Sequence, residues 1–130
     1  MTESPLILAV DDNEAGLLLV TSLLQVEGFR VDSAGSAGEV FKRLSERIPD
    51  LILMDVQLPG QDGLSLTRDL LADPTTAHIP IVALTAHAMP GDRDLALDAG
   101  CVGYISKPID TRTFAGQVRE FLAAAQPVAS

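Results

Sequence analysis

Short runs of consecutive apolar residues alternate along the chain with longer stretches in which apolar residues recur every three or four positions. The runs fall at residues 6–10, 51–54, 81–84 and 102–105, with a weaker one at 30–34. Those at 51–54 and 81–84 show no in–out alternation, the mark of strands buried on both faces, and 6–10 is of the same kind. The longer stretches predict helices. Residues 13–27 place Leu17, Val20, Thr21 and Leu24 at helical spacing, and Gly28 follows as a stop. Ser36 and Glu39 have the spacing of a capping box, opening a helix that carries Val40, Phe41 and Leu44. A third helix covers 64–72 and stops near Pro74. Pro90 suits the first turn of a fourth, which carries Leu95 and Ala99 and ends at Gly100. Asp110 is placed to cap the last, whose Phe114, Val118, Phe121 and Leu122 make one stripe.

Five strand–helix units in strict alternation call for an α/β fold: a five-stranded parallel sheet, wound right-handed, with five helices on its two faces. One domain over residues 6–123 accounts for the pattern. Residues 1–5 form an N-terminal extension and 124–130 a flexible tail.

Composition narrows the picture. At 47% apolar the chain can build one core, and with 4% aromatics that core is aliphatic. The net charge of −9 argues against nucleic acid and anionic membranes as partners. Cys101 is a single cysteine, expected to be buried filler, and it has no internal disulfide partner. No apolar run reaches the length of a membrane span, and "MTESP" is not a signal peptide. A soluble, cytoplasmic protein is the expectation.

The chemistry stands where the strands end. In doubly wound sheets the functional crevice lies at the carboxyl ends of the strands. Strand 1 runs into Asp11-Asp12, strand 3 into Asp55, strand 4 into Thr85 and strand 5 into Ser106-Lys107-Pro108. Three acids, a hydroxyl and an ammonium therefore share one rim. Two like charges about 4 Å apart cost roughly 4 kcal/mol at an effective dielectric near 20, so the acids call for a cation. A hard divalent ion such as Mg²⁺ suits oxygen ligands. A carboxylate beside such an ion, an ammonium and a hydroxyl is equipped to attack phosphorus. Each residue also has a plainer role open to it: Asp11 or Asp12 capping the first helix, Thr85 ending a strand, Lys107 in solvent.

The segments "LAVDDNE", "LILMDVQLPGQDG", "VALTAHAM" and "GYISKPI" resemble, in order and spacing, the receiver domain of two-component response regulators. The resemblance spans residues 6 to about 123. It is strongest toward stand-alone receivers of the DivK type, and toward receivers fused to hybrid histidine kinases. It implies the CheY-like, flavodoxin-like strand order 2-1-3-4-5. It implies that Asp55 is the phosphoacceptor, and that Asp11, Asp12, Asp55 and the Gln57 backbone carbonyl hold Mg²⁺, for which Mn²⁺ can substitute. Thr85 and Lys107 would hold the phosphoryl oxygens, and Thr85 and Tyr104 would form the switch. His87, two residues past Thr85, and the Gln57 side chain are candidates for steering water toward the phosphoryl group, with a solvated loop residue as the plainer reading of His87. Pro108 matches a proline whose preceding bond is usually cis in the family. The implied function is that of a signalling module rather than a metabolic enzyme, catalysing only its own phosphorylation and dephosphorylation. The donor would be a histidine kinase or histidine phosphotransfer protein. The effector would be a protein bound at the helix 4–strand 5–helix 5 face, with no nucleic acid and no membrane involved.

Two other functions compete. A phosphatase working through an aspartyl intermediate would want an acid two residues after Asp55, where Gln57 stands. A flavodoxin-like cofactor binder would want a Ser/Thr/Gly-rich loop after strand 1, where the chain reads "DDNE". His78 is expected to be inert, Met54 to lie in the core, and Met89 to pack or serve a partner surface. A Met start and a tail without a linker-like run favour a stand-alone protein over a piece cut from a longer chain.

Overall fold

A computed structural model describes residues 4–58, 61–85, 90–107 and 109–125. Five parallel strands form one sheet: β1 (Leu6–Val10), β2 (Arg30–Ala34), β3 (Leu51–Asp55), β4 (Ile81–Thr85) and β5 (Gly103–Ser106). Their order is β2-β1-β3-β4-β5. Five helices connect and follow them: α1 (Glu14–Val26), α2 (Ala37–Glu46), α3 (Gly63–Ala72), α4 (Pro90–Ala99) and α5 (Phe114–Ala125). The expected architecture and strand order are both present. A two-residue antiparallel ladder, Gln57 opposite Asp62 and Leu58 opposite Gln61, joins β3 to α3.

The sheet divides the core in two. Ile7, Ala9, Leu51, Leu53, Leu84 and Ile105 pack with Val20 and Leu24 of α1 and Phe114 and Val118 of α5. Leu8, Val10, Met54 and Ala83 pack on the opposite face with side chains of α2, α3 and α4. Every residue of β1, β3 and β4 is buried, so both faces of these strands carry aliphatic residues and their sequences do not alternate.

Helix ends follow local chemistry. Asn13, rather than Asp11 or Asp12, caps α1: its Oδ1 accepts the Gly16 amide at 3.1 Å. At the other end Gly28 adopts φ +93° and the Gly28 and Phe29 amides bond back to Gln25 and Leu24. This is a Schellman motif, and its apolar pair, Leu24 and Phe29, is buried. Gly100, at φ +109°, ends α4 in the same way, with Cys101 bonding back to Ala96. Ser36 Oγ accepts the Glu39 amide, the forward half of the expected capping box. Asp110 Oδ1 accepts the Arg112 amide, and one turn of chain precedes α5.

Phe41 and Leu95 are in the expected helices but outside the core, at 49% and 52% exposure, and the α4 residues that pack inward are Ala96 and Ala99. Helix α3 starts at Gly63, capped by Asp62, not at 64. Helix α5 runs on to Ala125, past the start of the expected tail. At the sheet's open edge, Arg43 of α2 donates through Nε to the Ser33 carbonyl of β2 at 3.1 Å, and Arg47 pairs with Asp32 at 3.2 Å. Among the described residues, no helix is long and apolar enough to cross a membrane.

Candidate functional site

Side-chain parity explains why the polar groups meet. Asp11 continues the face of Ile7 and Ala9, Asp55 that of Leu51 and Leu53, and Lys107 that of Ile105. All three lie on the α1/α5 side, at the carboxyl ends of β1, β3 and β5. Thr85 and Tyr104 have the opposite parity. Tyr104 is level with Ala83, two residues before Thr85, and packs against the cluster under α3 and α4. The sheet thus holds the acids and the lysine on one side and the hydroxyl–tyrosine pair on the other, and the two sets meet only at the carboxyl rim.

Asp11 is held at both oxygens. Oδ1 accepts the Asn13 amide at 2.9 Å, and Oδ2 accepts the Lys107 ammonium at 2.9 Å. The same ammonium stands 3.5 Å from Asp55 Oδ2. Burial pushes the Asp11 carboxyl up, but the Lys107 ammonium and the Asn13 amide outweigh it and hold the group below the usual carboxylate range. Burial also presses the Lys107 ammonium down, while its bond to Asp11 and the charges of Asp55 and Asp11 raise it above the ordinary lysine value. The lysine expected to hold phosphoryl oxygens is, in this state, the counter-ion of the acids, and it lies nearer Asp11 than Asp55.

Asp11 and Asp55 are buried and Asp12 is exposed, and one carboxylate oxygen from each lies within 4.8 Å of the others. With Lys107 counted, the formal charge is −2, matched to a divalent cation. Hard oxygen donors with one exposed member leave room for the waters that Mg²⁺ keeps, so the residues fit such an ion.

The backbone fixes this rim. The Lys107 amide donates to the Thr85 carbonyl at 2.7 Å, tying the ends of β4 and β5, and the Val56 amide donates to Leu84. Gly63 has no positive φ, yet a Cβ there would overlap the Asp55 carbonyl oxygen. The start of α3 therefore rests directly on the backbone of Asp55. The signal in the sequence was the glycine following Asp62, two turn residues that also cap and open a helix.

His87 and Pro108 lie outside the described residues, as do Met89 and the Gln57 side chain; the Gln57 backbone sits in the short ladder two residues beyond Asp55. His78 is exposed and precedes β4, at the opposite end of that strand from Thr85. Cys101 is buried as expected; burial pushes its thiol up, and a hydrogen bond with Thr67 only partly offsets that.

Comparisons with known proteins agree with this geometry. The chain is 40% identical, over 125 residues, to the polar-differentiation response regulator DivK of Brucella ovis, covering 96% of this chain and 100% of that protein. It is 38% identical over 119 residues to the DivK of Brucella anthropi, covering 92% of this chain and 97% of that one. Among solved structures, the receiver domain of a sensor histidine kinase from Pseudomonas aeruginosa matches with a TM-score of 0.83 and 32% identity, over 92% of this chain and 98% of that one. That structure has a magnesium ion coordinated in its active-site cleft. A putative response regulator from Chloroflexus aurantiacus matches with a TM-score of 0.87 and 29% identity, over 92% and 98% of the two chains. The family model described as the response regulator receiver domain matches residues 7–119, and the chain, with its acids and lysine gathered at one rim of a five-stranded sheet, belongs to that family.

Proposed function

We propose that this receiver takes a phosphoryl group from a phosphohistidine onto Asp55, and that the phosphorylated form engages a partner protein. The observation that carries the reading is the position of Asp55, 6% exposed at the end of β3, with a carboxylate oxygen within 4.8 Å of those of Asp11 and Asp12 and 3.5 Å from the Lys107 ammonium. A carboxylate oxygen of Asp55 forms the new bond to phosphorus as the phosphorus–nitrogen bond breaks. The donor imidazole leaves with the electron pair and takes up a proton. Donors of this kind are histidine kinases and histidine phosphotransfer proteins.

Asp11, Asp12, Asp55 and the Gln57 carbonyl would hold Mg²⁺, or Mn²⁺ in its place. The ion supplies positive charge to the phosphoryl oxygens as the bond forms. Lys107 supplies the fixed charge. It is already at the rim, and transferring its hydrogen bond from Asp11 to a phosphoryl oxygen needs only a short movement of a long side chain. Thr85 donates its hydroxyl from the far side of the rim. Because Thr85 and Tyr104 share a face, movement of Thr85 opens space toward which Tyr104 can turn. The effector surface in this reading is the α4–β5–α5 side; exposed apolar residues on and just after α4, Leu95, Leu97 and Val102, support a partner surface that includes α4. The reading places the protein in the cytoplasm, as an element of a two-component or phosphorelay pathway.

Incubation with acetyl phosphate and Mg²⁺, followed by intact mass spectrometry, tests the assignment. One phosphoryl adduct is expected on the wild type and none on Asp55→Asn. Full labelling of the Asn variant would refute it.

A further inference from the structure

Gly16 is the third residue of α1, where glycine is a poor helix former. Its backbone does not require glycine: among the described residues, positive φ occurs only at Gly28 and Gly100. Space does. A Cβ on Gly16 would lie 3.0 Å from Asp11 Oδ2 and 3.7 Å from Asp11 Cγ. Gly63, at the start of α3, is crowded by backbone instead, and nothing stands within 4 Å of the same position on Gly116 of α5.

Asp11 has nowhere to retreat. Its Oδ1 is held by the Asn13 amide and its Oδ2 by Lys107, each at 2.9 Å, and its side chain is 5% exposed. A methyl group at 3.0 Å must push Oδ2 by a few tenths of an ångström. That displacement either lengthens the lysine bond or spreads the three carboxylate oxygens that now lie within 4.8 Å. Mg²⁺ demands near-ideal octahedral geometry and tolerates such spreading badly.

We propose that Gly16 is a positioning residue: its missing side chain reserves the volume in which Asp11 Oδ2 meets both Lys107 and the divalent cation. The inference rests on the reading that the three acids bind such an ion.

The test titrates Mn²⁺ into five proteins, following free Mn²⁺ by electron paramagnetic resonance, with melting temperatures taken in EDTA. Gly16→Ala should lose about tenfold in Mn²⁺ affinity, the scale of losses around ligand-supporting residues. Its melting temperature should stay at or slightly above the wild-type value, because the better helix offsets the push on the Asp11–Lys107 pair. Gly116→Ala should rise by about 3 °C with wild-type affinity. In an Asp11→Ala background, adding Gly16→Ala should change affinity no further. Wild-type affinity in Gly16→Ala overturns the proposal. So does a fall in both affinity and melting temperature, which would mean an effect through the fold, or an equal loss in the Asp11→Ala background. Failure of the wild type to bind Mn²⁺ would overturn the metal reading itself, and this proposal with it.

Discussion

Replacing Lys107 by methionine keeps the stem and removes the charge, leaving Asp11 and Asp55 buried beside each other. At an effective dielectric near 20, the 2.9 Å contact with Asp11 is worth about 6 kcal/mol of Coulomb attraction and the 3.5 Å contact with Asp55 about 5. These are gross values, opposed by the desolvation of all three groups. Removing one partner of a buried pair costs about 3–5 kcal/mol, and the low end applies because the Lys107 side chain is 26% exposed. We therefore expect Lys107→Met to lose about 3 kcal/mol in EDTA, moving a urea midpoint by roughly 1.5 M. Saturating Mg²⁺ should close much of the gap, since the ion supplies charge to the same carboxylates and no longer competes with an ammonium. The pH dependence has a definite sign. Asp11 is held below its ordinary 3.8, so its contribution is present above that value and is lost as pH falls through the lowered one. Lys107 is raised above its ordinary 10.5, so its contribution is present below that value and is lost as pH climbs through the raised one. The difference between wild type and variant should be flat across neutral pH and should shrink in strong acid. A gap under about 1 kcal/mol, or one unchanged by Mg²⁺, would refute the counter-ion role.

Asp12→Ala should weaken Mn²⁺ binding at least tenfold yet leave the metal-free melting temperature unchanged or higher, since an exposed member of a repulsive cluster is removed. Gly63→Ala should destabilise the protein by about 2 kcal/mol or more in urea titrations, because its methyl would overlap the Asp55 carbonyl oxygen; a neutral result would show that α3 can move off β3. Thr85→Ala should still be labelled on Asp55 by acetyl phosphate but should gain little affinity for its partner on beryllofluoride activation. Wild-type gain in that measurement would place the output elsewhere.

The sheet was legible because its central strands are buried on both faces, and an apolar run as short as residues 51–54, bounded by turn residues, favours a strand over a helix. The acids were legible because they interrupt those runs. Facts set by contact through space were harder to read. Leu95 fits a helical stripe, but α4 presents Ala96 and Ala99 to the neighbouring elements and leaves Leu95 outside. Phe41 is adjacent to Val40 in sequence, and a 100° step around α2 puts it in solvent. The pairing of Lys107 with Asp11 joins residues 96 positions apart, and only the strand order brings them together. Gly16 and Gly63 carry no chemistry of their own, so their roles exist only as the volume they leave to neighbours.

The arginine at the β2 margin bears on edge-to-edge pairing of the sheet. A parallel sheet ends in a strand whose outward carbonyls and amides are templates for an incoming strand. Here the guanidinium of Arg43 already occupies the Ser33 carbonyl, and Arg47 with Asp32 puts paired charges beside it. A strand arriving from a second molecule would have to strip away that bond and desolvate both charges before forming any of its own. Crowding at high expression therefore meets a guarded margin at β2, and self-association through this side is directed away from sheet extension and the fibrous aggregates it seeds.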